Sequence, residues 1–200
     1  SNKAIHVRPV TTDRELKRIQ QIRYQICVVE CGQTYLEGTC HHSKTIADHL
    51  DQDLNVFSVF YDDELVGTVR WGLLHWSARP HRHTKKISDL GFGNSAQLGV
   101  TDRLALAPKA RSLTTLRRIY EVVAMTALDA GSRYEFCWAS PKLAALYALL
   151  GYRRTGAQVI NRAGKPLEIL QLDLHQNQKP HSGRATFYRD VGFPFPPRAA

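Results

Sequence analysis

The succession of apolar patterns along the chain predicts an α/β fold in one domain, residues 1–200. Three observations carry that expectation. An apolar run ends at Pro108 and gives way to a helical stripe at Leu116, Ile119, Tyr120, Val123 and Ala127. Two strand-like runs, Val56–Tyr61 and Leu65–Leu74, flank an Asp62-Asp63 turn as a hairpin. Strand and helix patterns then alternate to the end of the apolar sequence. Two hundred residues, 43% of them hydrophobic, suffice for a single core.

Each element has a local cause. Ile5–Val10 reads as a first strand, and Pro9 assigns it to a sheet edge because proline cannot donate to a ladder. Thr12 and Glu15 form a capping box, and Leu16, Ile19, Ile22 and Ile26 continue it as a helix through Arg23 and Tyr24. Cys27–Asp53 has no period and reads as a long loop or short helices covering something. Arg79–Gly93, polar and basic, reads as an exposed insertion. Gly131 closes the helix that follows Pro108, and Tyr134–Ala139 is a strand. Ser140-Pro141 starts another helix whose face is Leu143, Leu146, Tyr147 and Leu150, ended by Gly151. Tyr152–Ile160 and Leu167–Leu174 are two last strands around Ala163-Gly164. The tail 175–200, with Phe187, Tyr188, Phe193 and Phe195, is expected to be irregular but packed on the domain.

Composition narrows the function. A net charge of +9 and a pI near 9.6 call for an acidic partner. Nucleic acid is disfavoured, because lysines and arginines are scattered and no binding motif appears. Cys27, Cys31, Cys40 and Cys137 are unevenly spaced and read as reduced thiols of a cytoplasmic protein. Their spacings, with His41 and His42 included, do not repeat a zinc-ligand pair, so no metal is expected. No apolar run approaches membrane-spanning length, and no signal-peptide pattern opens the chain.

The stretch Leu98–Arg118 concentrates the functional signal. A strand that turns at proline into a helix presents free N–H groups at a helix start, which favours anions. That makes a phosphate-binding turn with Lys109 and Arg111 on its rim. The same pattern also fits an ordinary buried strand before a helix with a solvated basic face.

LALAPKAR before that helix and ASPKLAALYALLGYRRTG after it resemble the GNAT acyltransferase superfamily over roughly Ile5–Leu174. The resemblance implies a mixed central sheet, flanked by helices, whose central strands splay to admit an acyl thioester. Ser112, Thr114 and Leu116 stand where the superfamily's loop carries glycines for a coenzyme A diphosphate. The single phosphodiester of an acyl carrier protein's phosphopantetheine arm asks less of the loop, and an acidic carrier suits the charge. Ile22-Arg23-Tyr24, Asp48-x-x-Asp51 and Val66-Gly67-Thr68-Val69-Arg70 further resemble the acyl-homoserine-lactone synthases and their relatives, the bacterial long-chain N-acyl amino acid synthases. Arg103 matches an arginine of their central strand. Val100 and Asp102 depart from the lactone-synthase Glu and Ser, which favours the N-acyl amino acid synthases.

The resemblance implies transfer of a long acyl chain from acyl carrier protein to the α-amine of an amino acid, tyrosine being one candidate, with no tightly bound cofactor. An acetyltransferase using coenzyme A is the enzyme alternative. Asp102, or a water ordered by Asp48 and Asp51, would be the base and Tyr147 the acid. Arg70 and Arg103 would grip the acceptor carboxylate, with Arg23 in the same cluster. Leu104, Leu106 and Ala107 would pair with the pantetheine amides, an open N–H at Leu106 or its neighbour holding the oxyanion. Lys109, Arg111, Ser112, Leu113 and Thr114 would hold the phosphate. Trp71, Leu73, Phe136 and Trp138 would wall the acyl chain. Each has a plainer alternative: Tyr147 and the four wall residues as core, the aspartates as caps or surface pairs.

Overall fold

The computed structural model describes residues 5–79 and 83–176. Its first strand, β1 (Ile5–Pro9), lies at a sheet edge and pairs antiparallel with β4 (Asn55–Tyr61). Helix α1 (Asp13–Tyr24) starts where the Thr12 hydroxyl accepts from the Glu15 amide. Glu15 returns the bond to the Thr11 amide, one position before the cap. A single π-helical stretch, Gln25–Glu30, continues α1. The segment that follows holds a ribbon of β2 (Thr39–Cys40) and β3 (Thr45–Ile46), then α2 (Leu50–Asp53).

The hairpin of β4 and β5 (Glu64–Leu73) forms as expected and leads to a short helix α3 (Thr84–Ser88). The central strand is β6 (Leu98–Leu106), and after one 3-10 turn α4 (Leu113–Asp129) begins with the Ser112 hydroxyl accepting from the Thr115 amide. The chain finishes with β7 (Tyr134–Ala139), α5 (Pro141–Ala148), β8 (Arg153–Ile160) and β9 (Pro166–Asp173). Seven strands make one mixed sheet in the order β1-β4-β5-β6-β7-β9-β8. Only β6 and β7 are parallel neighbours.

Period-two alternation divides the core between the sheet's two faces. On one face Val69, Trp71, Leu106, Cys137 and Ala139 pack with the stripe of α4 and with Ala144 and Tyr147 of α5. On the other, Leu98, Val100, Phe136 and Ile169 pack beneath Ile87, while α1 supplies Leu16 and Ile19 against Val56. Among the described residues no helix is long and apolar enough to cross a membrane.

Two expectations change. The insertion read as exposed is partly core: Ile87 is fully buried, Leu90 and Phe92 pack beside it, and His83 stacks edge-on against Trp138 at 4.9 Å. Its apolar residues are too few for a period to show. On α5 the buried positions are Ala144 and Tyr147, whereas Leu143 is 49% exposed. The aromatic residues of the tail lie outside the described residues.

Gly99 leaves room for buried side chains from both neighbouring strands. A Cβ there would lie 1.9 Å from Glu135 Oε1 and 2.8 Å from Trp71 Nε1. Gly99→Ala is therefore expected to cost about 1–3 kcal/mol by overpacking, read as a lower urea midpoint at unchanged slope. A midpoint equal to that of the unsubstituted protein would show the fit to be loose.

Candidate active site

The central strands part as soon as they meet. Strand β6 pairs with β7 only at Leu98↔Tyr134, Gly99↔Glu135 and Val100↔Phe136. Beyond Val100, β6 stays on β5, with Thr68↔Ala105 and Gly67↔Leu106 in register. Ala107 donates its amide to the Val66 carbonyl at 2.8 Å, so it is closed as an oxyanion donor. Ladder alternation turns the Leu104 and Leu106 amides the other way, into the gap facing β7.

A bulge shapes the same strand. Between the Thr68↔Ala105 and Arg70↔Asp102 pairs β6 carries one residue more than β5, and Arg103 takes a left-handed φ of 54°. The extra residue breaks alternation, so Asp102 and Arg103 both reach the face covered by α1.

There they join a six-residue ion cluster centred on Arg70, which is fully buried on β5. Its Nε and NH2 donate to the two oxygens of Asp102 at 2.8 and 2.7 Å. NH1 donates to Asp48 at 2.5 Å and to Asp51 at 2.9 Å, and NH2 adds a longer bond to Asp48 at 3.3 Å. A guanidinium has five N–H groups, and these five bonds use them all. Asp51 also accepts from NH1 of Arg23 at 2.8 Å. Asp48 accepts from NH2 of Arg103 at 2.5 Å, and that nitrogen also donates to the Glu37 carbonyl. Three arginines and three aspartates cancel.

Two sequence expectations are corrected here. Arg70 has no N–H left for a substrate carboxylate, so it holds the cluster together instead of gripping acceptor. Asp102 has both oxygens engaged by Arg70, and a carboxylate clasped by a cation is a weak base. Asp51, 3% exposed between Arg23 and Arg70, is equally committed. Burial would raise the pKa of Asp48, but hydrogen bonds and charge from Arg70 and Arg103 overcome it and hold the carboxyl well below the usual range. Asp48 keeps the most exposed edge of the three, at 11% against 7% for Asp102 and 1% for Asp51.

Donors remain on the other two arginines. Nε and NH2 of the buried Arg23 have no partner among the described residues. Arg103 commits only NH2, and its Nε and NH1 meet no partner among the described residues.

The face covered by α4 and α5 carries different chemistry. Tyr120, Tyr147 and Tyr152 pack edge-to-face with centroids 5.4–5.6 Å apart. The Tyr120 hydroxyl donates to that of Tyr147 at 2.8 Å, which leaves the Tyr147 proton free to be given. Burial pushes the Tyr147 phenol above its ordinary range and keeps it protonated. Tyr147 belongs to the apolar cluster that contains Leu106 and Ala139 of the two parted strands.

The start of α4 is open. Ser112 and Thr114 are exposed and Leu113 half-buried, and the first helical amides lack intrahelical acceptors. Arg111 Nε donates to the Leu106 carbonyl at 2.9 Å, and its NH2 to Cys31 Sγ at 3.3 Å. Lys109 pairs with Glu64 at the surface. Both rim cations thus already have partners, the lysine in an exposed pair of small worth.

The four residues expected to wall one acyl pocket do not share a wall. Trp71 and Leu73 pack on the α4 and α5 face, Phe136 and Trp138 on the other, because alternation sends them to opposite sides. A cavity of about 230 Å³ lies elsewhere, among Phe92, Tyr134, Gly151, Arg153, Gln171 and Asp173. Glu135, buried beneath the parting strands, was not anticipated; its one trace in the sequence is an acid within the apolar run YEFCWA.

No family model and no curated protein sequence matches the chain. Solved structures do. The AHL synthase LasI aligns at a TM-score of 0.66 and 12% identity, over 86% of this chain and 91% of LasI. FeeM, an N-acyl amino acid synthase from uncultured soil microbes, aligns at 0.64 and 17%, over 88% and 93%. The CoA-dependent acyl-homoserine lactone synthase BjaI, in a structure with SAM and isopentyl-CoA, aligns at 0.65 and 14%, over 86% and 84%.

Removing Arg70 takes both clasping bonds from Asp102 and one of two arginines from each of Asp48 and Asp51. Arg70→Ala is expected to lower stability by about 3–5 kcal/mol in urea unfolding, and Arg103→Ala by clearly less. Equal losses would contradict the central place of Arg70. A carboxyl held below its unfolded value of 3.8 contributes stability above that pH, lost as pH falls further. Asp48→Asn should therefore flatten the acid side of the stability profile. A profile as steep as that of the unsubstituted protein would rule the Asp48 contribution out.

Proposed function

We propose, from the GNAT-like acyltransferase fold that this chain shares with those synthases, that it is an N-acyltransferase moving a long acyl chain from acyl carrier protein to the α-amine of an amino acid. The observation that carries the reading is the parting of β6 from β7 beyond Val100 and Phe136. A pantetheine arm entering that gap finds the Leu104 and Leu106 amides unpaired on the β7 side and adds to β6 as a strand would. The phosphate rests at the first turn of α4, on the amides of Leu113 and Thr114 beside Ser112. Lys109 and Arg111 border it. An arm with one phosphodiester fits this start without glycines, and a net charge of +9 favours an acidic carrier.

The acceptor binds on the α1 side, where Arg103 offers its free Nε and NH1 to a carboxylate as a planar fork. The amine needs a base, and the clasped aspartates do not supply one directly. A water held by the solvent-facing edge of Asp48 takes the proton. The amine attacks the thioester carbonyl, whose oxygen gains charge against the Leu106 amide. When the carbon–sulfur bond breaks, Tyr147 gives its proton to the thiolate and draws on the Tyr120 hydroxyl behind it. The products are an N-acyl amino acid and free carrier thiol. The CoA-dependent synthase BjaI represents the alternative donor, coenzyme A.

Incubation with tyrosine and either palmitoyl carrier protein or acetyl coenzyme A, followed by mass spectrometry, tests the reading. A new palmitoyl amide from the carrier is expected, and product from the coenzyme alone would overturn the choice of donor. Arg103→Ala should raise the KM for the amino acid roughly tenfold or more, the loss of about one charge-assisted bond, with little change in donor KM. An unchanged amino acid KM would remove Arg103 from acceptor binding.

A further inference from the structure

Glu135 is a buried acid that the reaction described above does not use. It sits on β7 opposite Gly99, one step before Val100↔Phe136, the last pair before the central strands part. It is 1% exposed and lies on the α4 and α5 face, whereas Arg70 and Asp102 reach the α1 face from the neighbouring strands. Oε2 accepts from Trp71 Nε1 of β5 at 2.8 Å and from Thr101 Oγ1 of β6 at 3.3 Å. Oε1 lies 2.9 Å from the hydroxyl of Ser132, in the turn between α4 and β7. The bare backbone of Gly99 leaves room for it, since a Cβ there would fall 1.9 Å from Oε1. One carboxyl group thus joins three strands and a turn where the cleft begins.

We propose that Glu135 is a positioning residue for the acyl-donor cleft: its carboxyl group clasps Trp71, Thr101 and Ser132 and so fixes the level at which β6 and β7 part. The proposal rests on the acyl-transfer reading for what occupies the cleft, but the clasp itself does not. A neutral group suits the surroundings. Among the described residues, the titratable groups that feel it are Cys137 of β7 and Tyr152 before β8, both kept uncharged by burial. The Ser132 hydroxyl donates to Oε1 and has the Tyr134 carbonyl 3.2 Å away as an alternative acceptor.

Burial pushes the Glu135 carboxyl up to about 8, against hydrogen bonds from Trp71, Ser132 and Thr101 that favour the charged form. A carboxyl raised above its unfolded value of 4.5 contributes stability that is complete below that value and lost as pH rises through about 8. Ionisation leaves an uncompensated charge buried under the cleft. The cleft then loosens on the alkaline side, and donor binding weakens with it.

Two readouts over about pH 6 to about pH 9.5, spanning the raised value, test this. The first is tryptophan emission, which senses the Trp71 indole on the carboxyl and requires no turnover. The unsubstituted protein is expected to show a transition with a midpoint near 8, and Glu135→Gln none. Ser132→Ala, which removes a hydrogen bond to the charged form, should move that midpoint upward. The second is the KM for the acyl donor, expected to rise across the same transition in the unsubstituted protein and to stay flat in Glu135→Gln, while the amino acid KM shows no such transition. An emission profile without the transition, one that Glu135→Gln leaves intact, or an unmoved Ser132→Ala midpoint would overturn the clasp. A donor KM that ignores the transition would overturn the positioning role. Absence of any turnover, with the emission transition present, would instead overturn the acyl-transfer reading and leave the clasp standing.

Discussion

The site is organised by the saturation of one buried guanidinium. Arg70 spends all five N–H groups on Asp48, Asp51 and Asp102, three carboxylates brought from two separate stretches of chain. Charges buried this deeply are tolerable only when each finds its opposite. Arg23 and Arg103 complete the balance. The consequence is geometric: the irregular segment after α1, which has little core of its own, is fixed against β5 and β6 by ions.

The sheet separates two kinds of chemistry. The α1 face holds the neutralised ion cluster, with Arg103 reaching toward open space because the bulge at its left-handed backbone breaks alternation. The opposite face holds three packed tyrosines and, beneath the parting strands, Glu135. Paired strands would keep these chemistries apart. Where β6 leaves β7, an extended molecule lying in the gap touches both. Acceptor recognition and leaving-group protonation can therefore be served by residues that never contact one another.

Much of this arrangement was legible in the chain. The hairpin, the strand ending at Pro108, the Thr12 and Ser140 caps and the proline-bearing edge strand follow from local rules, and the structure places all of them. Arg23, Asp48, Asp51, Arg70, Asp102 and Arg103 were singled out and do converge. What the sequence withheld was their partners. Spacing identifies which residues carry charge, but only the fold shows that Arg70 and Asp102 satisfy each other, which removes both from the roles first given them. Trp71 and Phe136 were grouped as one wall, although their opposite faces follow from a register that no single strand reveals. Glu135 left only a faint trace, since an isolated acid in an apolar run gains meaning from Trp71, Thr101 and Ser132, each distant in sequence or on another element.

Each step of the proposed transfer depends on the donor lying in the gap beside β6. Amide hydrogen exchange of the full chain, with and without an acylated carrier protein, addresses this directly. Added donor should slow exchange at Leu104 and Leu106 and at the first amides of α4, Leu113 and Thr114, while Ala107, already bonded to Val66, stays as it was. Slowing confined to other parts of the chain, with the Leu104 and Leu106 amides exchanging as before, would contradict it.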